Sequence, residues 1–262
     1  MNNSSVFDVY PQFVTLRGKV PDEIVEREVA PKATQFAEIS PAARQHIPTV
    51  PLANVFPAEI EEGKIQLQHF LGQWGNISVE EVCKIALICS WLRPKTIFEF
   101  GTYNGMTTLQ LALNSPPDCI VHTLDLDPLS PETAALDVGE IDGFLARKQG
   151  AFGLPVGGYF ASRPLATKVR QLLGNSLAFD FSPYHHAMDM IFVDAGHTYE
   201  CVKSDTSAAL RMIRPGGVIL WHDYMQLLHP DVTRHLVECS LAGYRIFHLR
   251  GTHLAVYYHN PK

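Results

Sequence analysis

The chain has no run of Lys and Arg, no CxxC pair and no apolar stretch approaching the roughly 20 residues that a bilayer crossing demands. Without a basic run, and with a net charge of −6 and a pI near 6.0, a nucleic-acid-binding surface over most of the protein is disfavoured. No nucleic-acid or membrane partner is expected. Cys83, Cys89, Cys119, Cys201 and Cys239 are scattered without metal-finger spacing. Three of them sit in apolar stretches that read as helix or strand, so buried reduced thiols and a cytoplasmic location are expected. The opening MNNSSVFDVYPQF lacks the basic start and apolar core of a signal peptide. What is present is ordinary: 46% hydrophobic and 18% charged residues over 262 positions, enough for one large soluble domain with additions.

Pro11, Pro21, Pro31, Pro41, Pro48, Pro51 and Pro57 punctuate the first stretch. Residues 1–56 therefore read as an arm in which any helix is short. It either drapes over the domain or a second subunit, giving a homo-oligomer, or serves as a lid that sets substrate specificity. A single domain follows over 57–262. Ile60, Ile65, Leu67, Phe70, Leu71 and Trp74 suggest one or two helices. Ser78 with Glu81 forms a capping box for a helix whose Val82, Ile85, Ala86, Cys89 and Leu92 share a face, and Pro94 stops it. Strands are expected at Thr96–Gly101, Ile120–Asp125, Val169–Leu173, Met188–Asp194 and Val218–Asp223. Helices are expected from Gly105 to Leu113, from Thr198, and over Asp231–Leu241. Arg214-Pro215-Gly216-Gly217 reads as a helix stop followed by a turn. Two last strands, Tyr244–Leu249 and Leu254–His259, are joined by a turn too tight for anything but an antiparallel hairpin. The expected fold is α/β: a doubly wound, mostly parallel, seven-stranded Rossmann-like sheet ending in that hairpin. The 126–168 insertion between the second and third strands is longer than a crossover needs, and its glycines suit a lid.

The first strand runs into Glu99-Phe100-Gly101-Thr102-Tyr103-Asn104-Gly105. Ligands of open α/β sheets bind outside the carboxyl ends of the strands, where a glycine lets backbone approach them. The spacing here is ExGxxxG, not the GxGxxG that seats a pyrophosphate on a helix end. An acid before the first glycine suits a ligand carrying ammonium and sulfonium charge. Asp125, closing the second strand, is placed for the two ribose hydroxyls of an adenosine ligand, or alternatively for a helix cap. Asn175, in Gly174-Asn175-Ser176, would face the adenine edge or form a plain turn. Asp194-Ala195-Gly196-His197 and His222-Asp223 end adjacent strands, so their side chains can meet at one mouth. His185, His186 and His229 sit in loops or helix starts and receive no role, and Trp221 reads as core.

The EFGTYNG loop, the LDLDP turn, GNSLAFDFSPY, FVDAGHTYECVKSD and RPGGVILWHDY together resemble a class I S-adenosylmethionine-dependent methyltransferase. The similarity is to the branch containing macrolide-sugar and antibiotic-tailoring O-methyltransferases and covers Thr96 to the C-terminus. It implies a cofactor site of Glu99, Gly101, Thr102, Tyr103, Asn104, Gly105, Asp125, Leu126, Asn175, Ser176 and Asp194. It also implies His197 as general base and Mg²⁺ on Asp194 and Asp223, with His222 beside them. His222-Asp223 departs from the paired acids frequent in metal-dependent members. The implied reaction is methyl transfer to a hydroxyl of a small sugar or natural product. A non-catalytic S-adenosylmethionine-binding partner subunit and a nucleotide-dependent oxidoreductase are the competing readings, the latter opposed by the missing GxGxxG and by the terminal hairpin.

Overall fold

The computed structural model describes residues 21–69, 75–127, 143 and 155–260. The expectations at Phe70, Leu71 and Trp74, for residues 1–20, and for most of the 126–168 insertion lie outside the described residues. Among the described residues no helix is long and apolar enough to cross a membrane.

The proline-punctuated stretch does not stay free of long helix. Helix α1 spans Asp22–Glu38 with Pro31 inside it. A proline in a helix interior costs roughly 3 kcal/mol. Here Val25, Val29 and Ala33, spaced four apart, offset that by burying one stripe. After a helical turn at Pro41–Arg44, strand β1 (Thr49–Val50) leads into Leu52, Phe56 and Ile60. These three lie in the same core cluster as Val82 and Ile85.

Helix α2 (Val79–Leu92) starts as its sequence announces: Ser78 Oγ accepts from Glu81 N–H at 3.3 Å, and Glu81 Oε2 accepts from Ser78 N–H at 2.7 Å. Ser78→Ala is expected to cost about 1 kcal/mol, a fall in Tm of roughly 2–4 °C for a domain of this size, measured by thermal unfolding. Strand β2 (Thr96–Phe100), helix α3 (Met106–Asn114) and strand β3 (Ile120–Asp125) follow. Strands β4 (Val169–Leu173) and β5 (Met188–Val193) precede helix α4 (Tyr199–Met212), capped by Thr198. Strand β6 (Ile213–Trp221), helix α5 (Pro230–Leu241), against which α1 packs, and strands β7 (Ile246–Leu249) and β8 (Ala255–Tyr258) complete the chain.

The sheet order is β1-β7-β8-β6-β5-β2-β3-β4. The seven expected strands are all present, and β1, paired parallel to β7, adds an eighth. Only β8 runs against its neighbours, lying between β6 and β7. Side chains alternate between two cores: Ile97, Met190, Phe192, Val218 and Leu220 point to one face, and Phe98, Phe100, Ile191, Ile219 and Trp221 to the other. Both faces are covered, which is why the central strands read as continuous apolar runs.

Arg214-Pro215-Gly216-Gly217 is not a turn before a strand; it lies within β6. The register shifts between Met188 and Met190 as β5 pairs with β6. Gly216 takes φ +82°, and a Cβ on Gly217 would sit 2.9 Å from Asp189 O. The glycines thus serve an irregular strand entry, close against the buried Asp189 that accepts from Lys95 N–H at 2.6 Å and pairs with Arg214.

Candidate active site

The chain builds outward from β2 through β3 to β4, then returns to place β5 and β6 on the other side. The switch point therefore falls between β2 and β5, where a crevice opens at the carboxyl ends. Gly101 is required there. Its φ is +87°, and an added Cβ would lie 2.0 Å from the carbonyl oxygen of Asp194. Asp194 N–H donates to Phe100 O at 2.9 Å, locking the two strand ends together.

Asp125 ties β3 to this turn. Its Oδ2 accepts from the N–H groups of Thr102 (2.9 Å) and Tyr103 (2.6 Å), and its Oδ1 from Leu126 N–H (2.7 Å). Burial raises its pKa, against the pull of these three donors. Tyr103 sits at φ 49°, a conformation that side chains other than glycine adopt at a cost. Thr102 Oγ1 pairs with Thr123 Oγ1 at 2.6 Å and accepts from Gln171 Nε2 at 3.1 Å. Asn104 Oδ1 accepts from Met106 N–H at 3.1 Å, and Gly105, at φ 83°, opens α3.

Glu99 lies under the loop and is fully buried. Its Oε2 accepts from Thr123 Oγ1 at 2.6 Å and from Thr108 Oγ1. Burial pushes its pKa up to about 8; the threonine hydroxyls oppose this, and Asp194 and Asp125 add to it. Asn175 Oδ1 accepts from Leu177 N–H at 3.0 Å. Burial raises the pKa of Asp205 to about 7, against the pull of the Ser176 hydroxyl.

At the ends of β5 and β6 the two chemical segments meet. His197 Nε2 is 2.8 Å from Asp223 Oδ2 and 3.9 Å from Asp194 Oδ1. His222 Nδ1 is 3.2 Å from each of Asp194 Oδ1 and Asp223 Oδ2, and its Nε2 is 3.5 Å from Glu81 Oε2. Burial lowers the His222 pKa, but the Asp223 and Asp194 carboxylates outweigh it and hold it well above the usual value. Burial likewise works to raise Asp223, and His222 and then His229 pull it well below its usual range. For Glu81 burial is again opposed, by His222 and by the His253 and Ser78 N–H groups, which bring it to about 2. Asp223 is held at φ 60° while buried, strain of the kind that collects at functional sites.

Two members of this cluster were not foreseen. His229, assigned no role from sequence, stacks on His197 with ring centroids 3.8 Å apart, and its Nε2 lies 3.9 Å from Asp223 Oδ2. Successive turns, Gln226 N–H to Asp223 O (3.1 Å) and His229 N–H to Gln226 O (3.1 Å), fold it back. Its place just before Pro230 at a helix start was the available signal. Glu81 was read only as a cap; nothing in the sequence pairs it with His222. Trp221, as expected, is core, donating from Nε1 to Thr206 Oγ1 at 3.0 Å.

Residues 98–224 match the family model of a methyltransferase domain. Among solved structures, the O-methyltransferase TomG of Streptomyces achromogenes, involved in tomaymycin synthesis and solved with S-adenosylmethionine, aligns at 16% identity. The alignment covers 90% of this chain and 98% of that one, with a TM-score of 0.50. An O-methyltransferase of Bacillus cereus in complex with S-adenosylhomocysteine aligns at 18% identity over 89% and 94% of the chains, TM-score 0.48. A Podospora anserina methyltransferase, also bound to S-adenosylhomocysteine, aligns at 14% over 93% and 97%, TM-score 0.46. No curated protein gives a significant sequence match. The methyltransferase-domain match spans just under half of the chain, and TomG shares its Rossmann-like α/β fold.

Proposed function

We propose that the protein methylates a hydroxyl group of a small molecule, of sugar or natural-product type, with His197 as the general base. The observation that carries this is the meeting of His197, Asp223 and Asp194 at the strand ends beside the Gly101 turn. Asp223, 2.8 Å from Nε2, favours the tautomer with N–H there, which leaves the lone pair on Nδ1. The acceptor O–H proton passes to Nδ1 as the oxygen attacks the methyl carbon. The new C–O bond forms as the C–S bond breaks, and the electron pair stays on sulfur.

The cofactor residues fit an amino-acid-bearing ligand. Glu99 Oε1 and Asn104 Nδ2 are buried at the same end of β2 and have no hydrogen-bond partner among the described residues. One is an acceptor for an ammonium group, the other a donor for a carboxylate. Asp125 would take the ribose hydroxyls with the lone pairs its backbone partners leave. Asp125→Ala is expected to weaken S-adenosylhomocysteine binding roughly ten- to 150-fold by calorimetry, the worth of about 1.5–3 kcal/mol for a charged hydrogen bond. Unchanged affinity removes Asp125 from the site. Asp194, His222 and Asp223, whose donor atoms lie within 4.8 Å of one another, would hold a divalent cation. Such an ion would stabilise negative charge on an acceptor oxygen.

The test is incubation with methyl-labelled S-adenosylmethionine and a panel of hydroxyl compounds, with products read by mass spectrometry. Label on oxygen supports the reading. Binding of cofactor without transfer to any hydroxyl would favour the non-catalytic alternative.

A further inference from the structure

His222 separates this cluster from one built of oxygens. Its Nδ1 lies 3.2 Å from Asp194 Oδ1 and 3.2 Å from Asp223 Oδ2, while its Nε2 faces Glu81 Oε2 at 3.5 Å. One ring nitrogen toward the ligand oxygens and the other toward an outer carboxylate is how metal-binding histidines are oriented. Without an ion the inner nitrogen is hydrogen-bonded to Asp194 Oδ1; a bound cation would take the place of its proton, while the outer carboxylate keeps the N–H of the other nitrogen. Donor atoms near 3.2 Å apart suit one shared ion at bond lengths of about 2.0–2.2 Å. Mg²⁺ prefers oxygen donors and retains waters, whereas imidazole suits Mn²⁺, Co²⁺ and Zn²⁺. The Mg²⁺ expected from sequence rested on the two aspartates, and an imidazole nitrogen stands between them.

Glu81 is itself held firmly enough to orient a ring. It is buried on the first turn of α2, with Oε2 accepting from Ser78 N–H and Oε1 from His253 N–H, each at 2.7 Å. We propose that Asp194, His222 and Asp223 hold a transition-metal ion of the Mn²⁺, Co²⁺ and Zn²⁺ class in preference to Mg²⁺, and that Glu81 is the positioning residue that turns His222 toward it. The inference rests on the proposed methyl transfer only for the location of the mouth; His197 remains the base.

The experiment uses the full chain stripped with a chelator. Co²⁺ is titrated in and followed by visible absorption, and Mn²⁺, Co²⁺ and Mg²⁺ are compared by calorimetry. S-adenosylhomocysteine binding is measured in parallel as a check on the fold. Co²⁺ and Mn²⁺ are expected to bind at least about tenfold more tightly than Mg²⁺, following ligand preference. Glu81→Gln, whose amide oxygen can still serve the capping box but which removes the negative charge facing His222 Nε2, is expected to weaken Co²⁺ binding roughly 10- to 100-fold. Ser78→Ala removes the cap without touching His222 and is expected to leave Co²⁺ affinity unchanged. Equal affinity for Mg²⁺ and Co²⁺, or no bound Co²⁺, overturns the metal assignment. An equal loss of Co²⁺ binding in Glu81→Gln and Ser78→Ala reduces Glu81 to a helix cap and overturns its positioning role. The metal readings do not depend on turnover, so absent methyl transfer alongside tight Co²⁺ binding counts against the reaction alone.

Discussion

Replacement of His197 by Gln is expected to leave S-adenosylhomocysteine binding intact and to lower methyl transfer roughly 10²- to 10⁴-fold. Gln is close to His in length, and its amide can still donate toward Asp223, so the loop after β5 keeps its partner. What is lost is the imidazole nitrogen that receives the acceptor's proton. An unassisted alcohol holds its proton too tightly to attack a methyl group at a useful rate, so the deficit belongs in kcat. Its surroundings point the same way. His197 is flanked by Asp223 at 2.8 Å and by the His229 ring at 3.8 Å, which restrict the imidazole to one orientation before substrate arrives. If single-turnover measurement gives a rate near that of the unaltered enzyme, the base is another group or is not needed. If cofactor affinity falls as much as the rate, His197 belongs to the cofactor site.

The strands, their order of appearance and the two chemical segments were legible because each rests on local pattern. Central strands such as Met188–Val193 are apolar on both faces, and Ser78 with Glu81 spells a helix start. The long helix Asp22–Glu38 was not legible. Its helicity depends on Val25, Val29 and Ala33 finding a surface on α5, and a tertiary gain of that kind overrides the local penalty at Pro31. Arg214-Pro215-Gly216-Gly217 misled for a related reason: the composition of a turn here serves close packing against Asp189 inside an irregular strand.

At the site, the residues at strand ends were found because topology alone brings strand ends together. Those that arrive by loop or helix were not. His229 reaches His197 through two consecutive turns, and Glu81 reaches His222 from the first turn of a helix far away in sequence. Asp125 was placed correctly at its strand end, but its hold on the Thr102 and Tyr103 N–H groups depends on the loop's exact path, including the left-handed Tyr103. That second task makes Asp125 a builder of the turn as well as a candidate ribose acceptor.

Glu99 gives the sharpest pH signature. Burial holds its pKa at about 8 in the free protein, so it is largely protonated at neutral pH. An ammonium group brought to its buried Oε1 favours the ionised form and lowers that pKa. Cofactor binding then expels a proton, and affinity rises with pH until the free-state pKa near 8 is passed. The slope is at most about tenfold per pH unit, so S-adenosylhomocysteine is expected to bind on the order of tenfold more tightly at about pH 7 than at about pH 6. That interval lies below the titration of a typical α-amino group near 8. Glu99→Gln removes a titrating carboxyl while keeping an oxygen for the Thr108 and Thr123 hydroxyls, so its affinity should be weaker and nearly flat with pH. Stability should move the other way. A carboxyl whose folded pKa is raised from 4.5 to about 8 favours the fold fully below 4.5, and that contribution is lost as pH climbs toward 8. Glu99→Gln should therefore be more stable than the native chain at about pH 8, by denaturant unfolding, yet bind cofactor less well. A native binding profile without slope, or a slope that Glu99→Gln shares, would detach this carboxyl from the cofactor and leave it a structural acid beneath the loop.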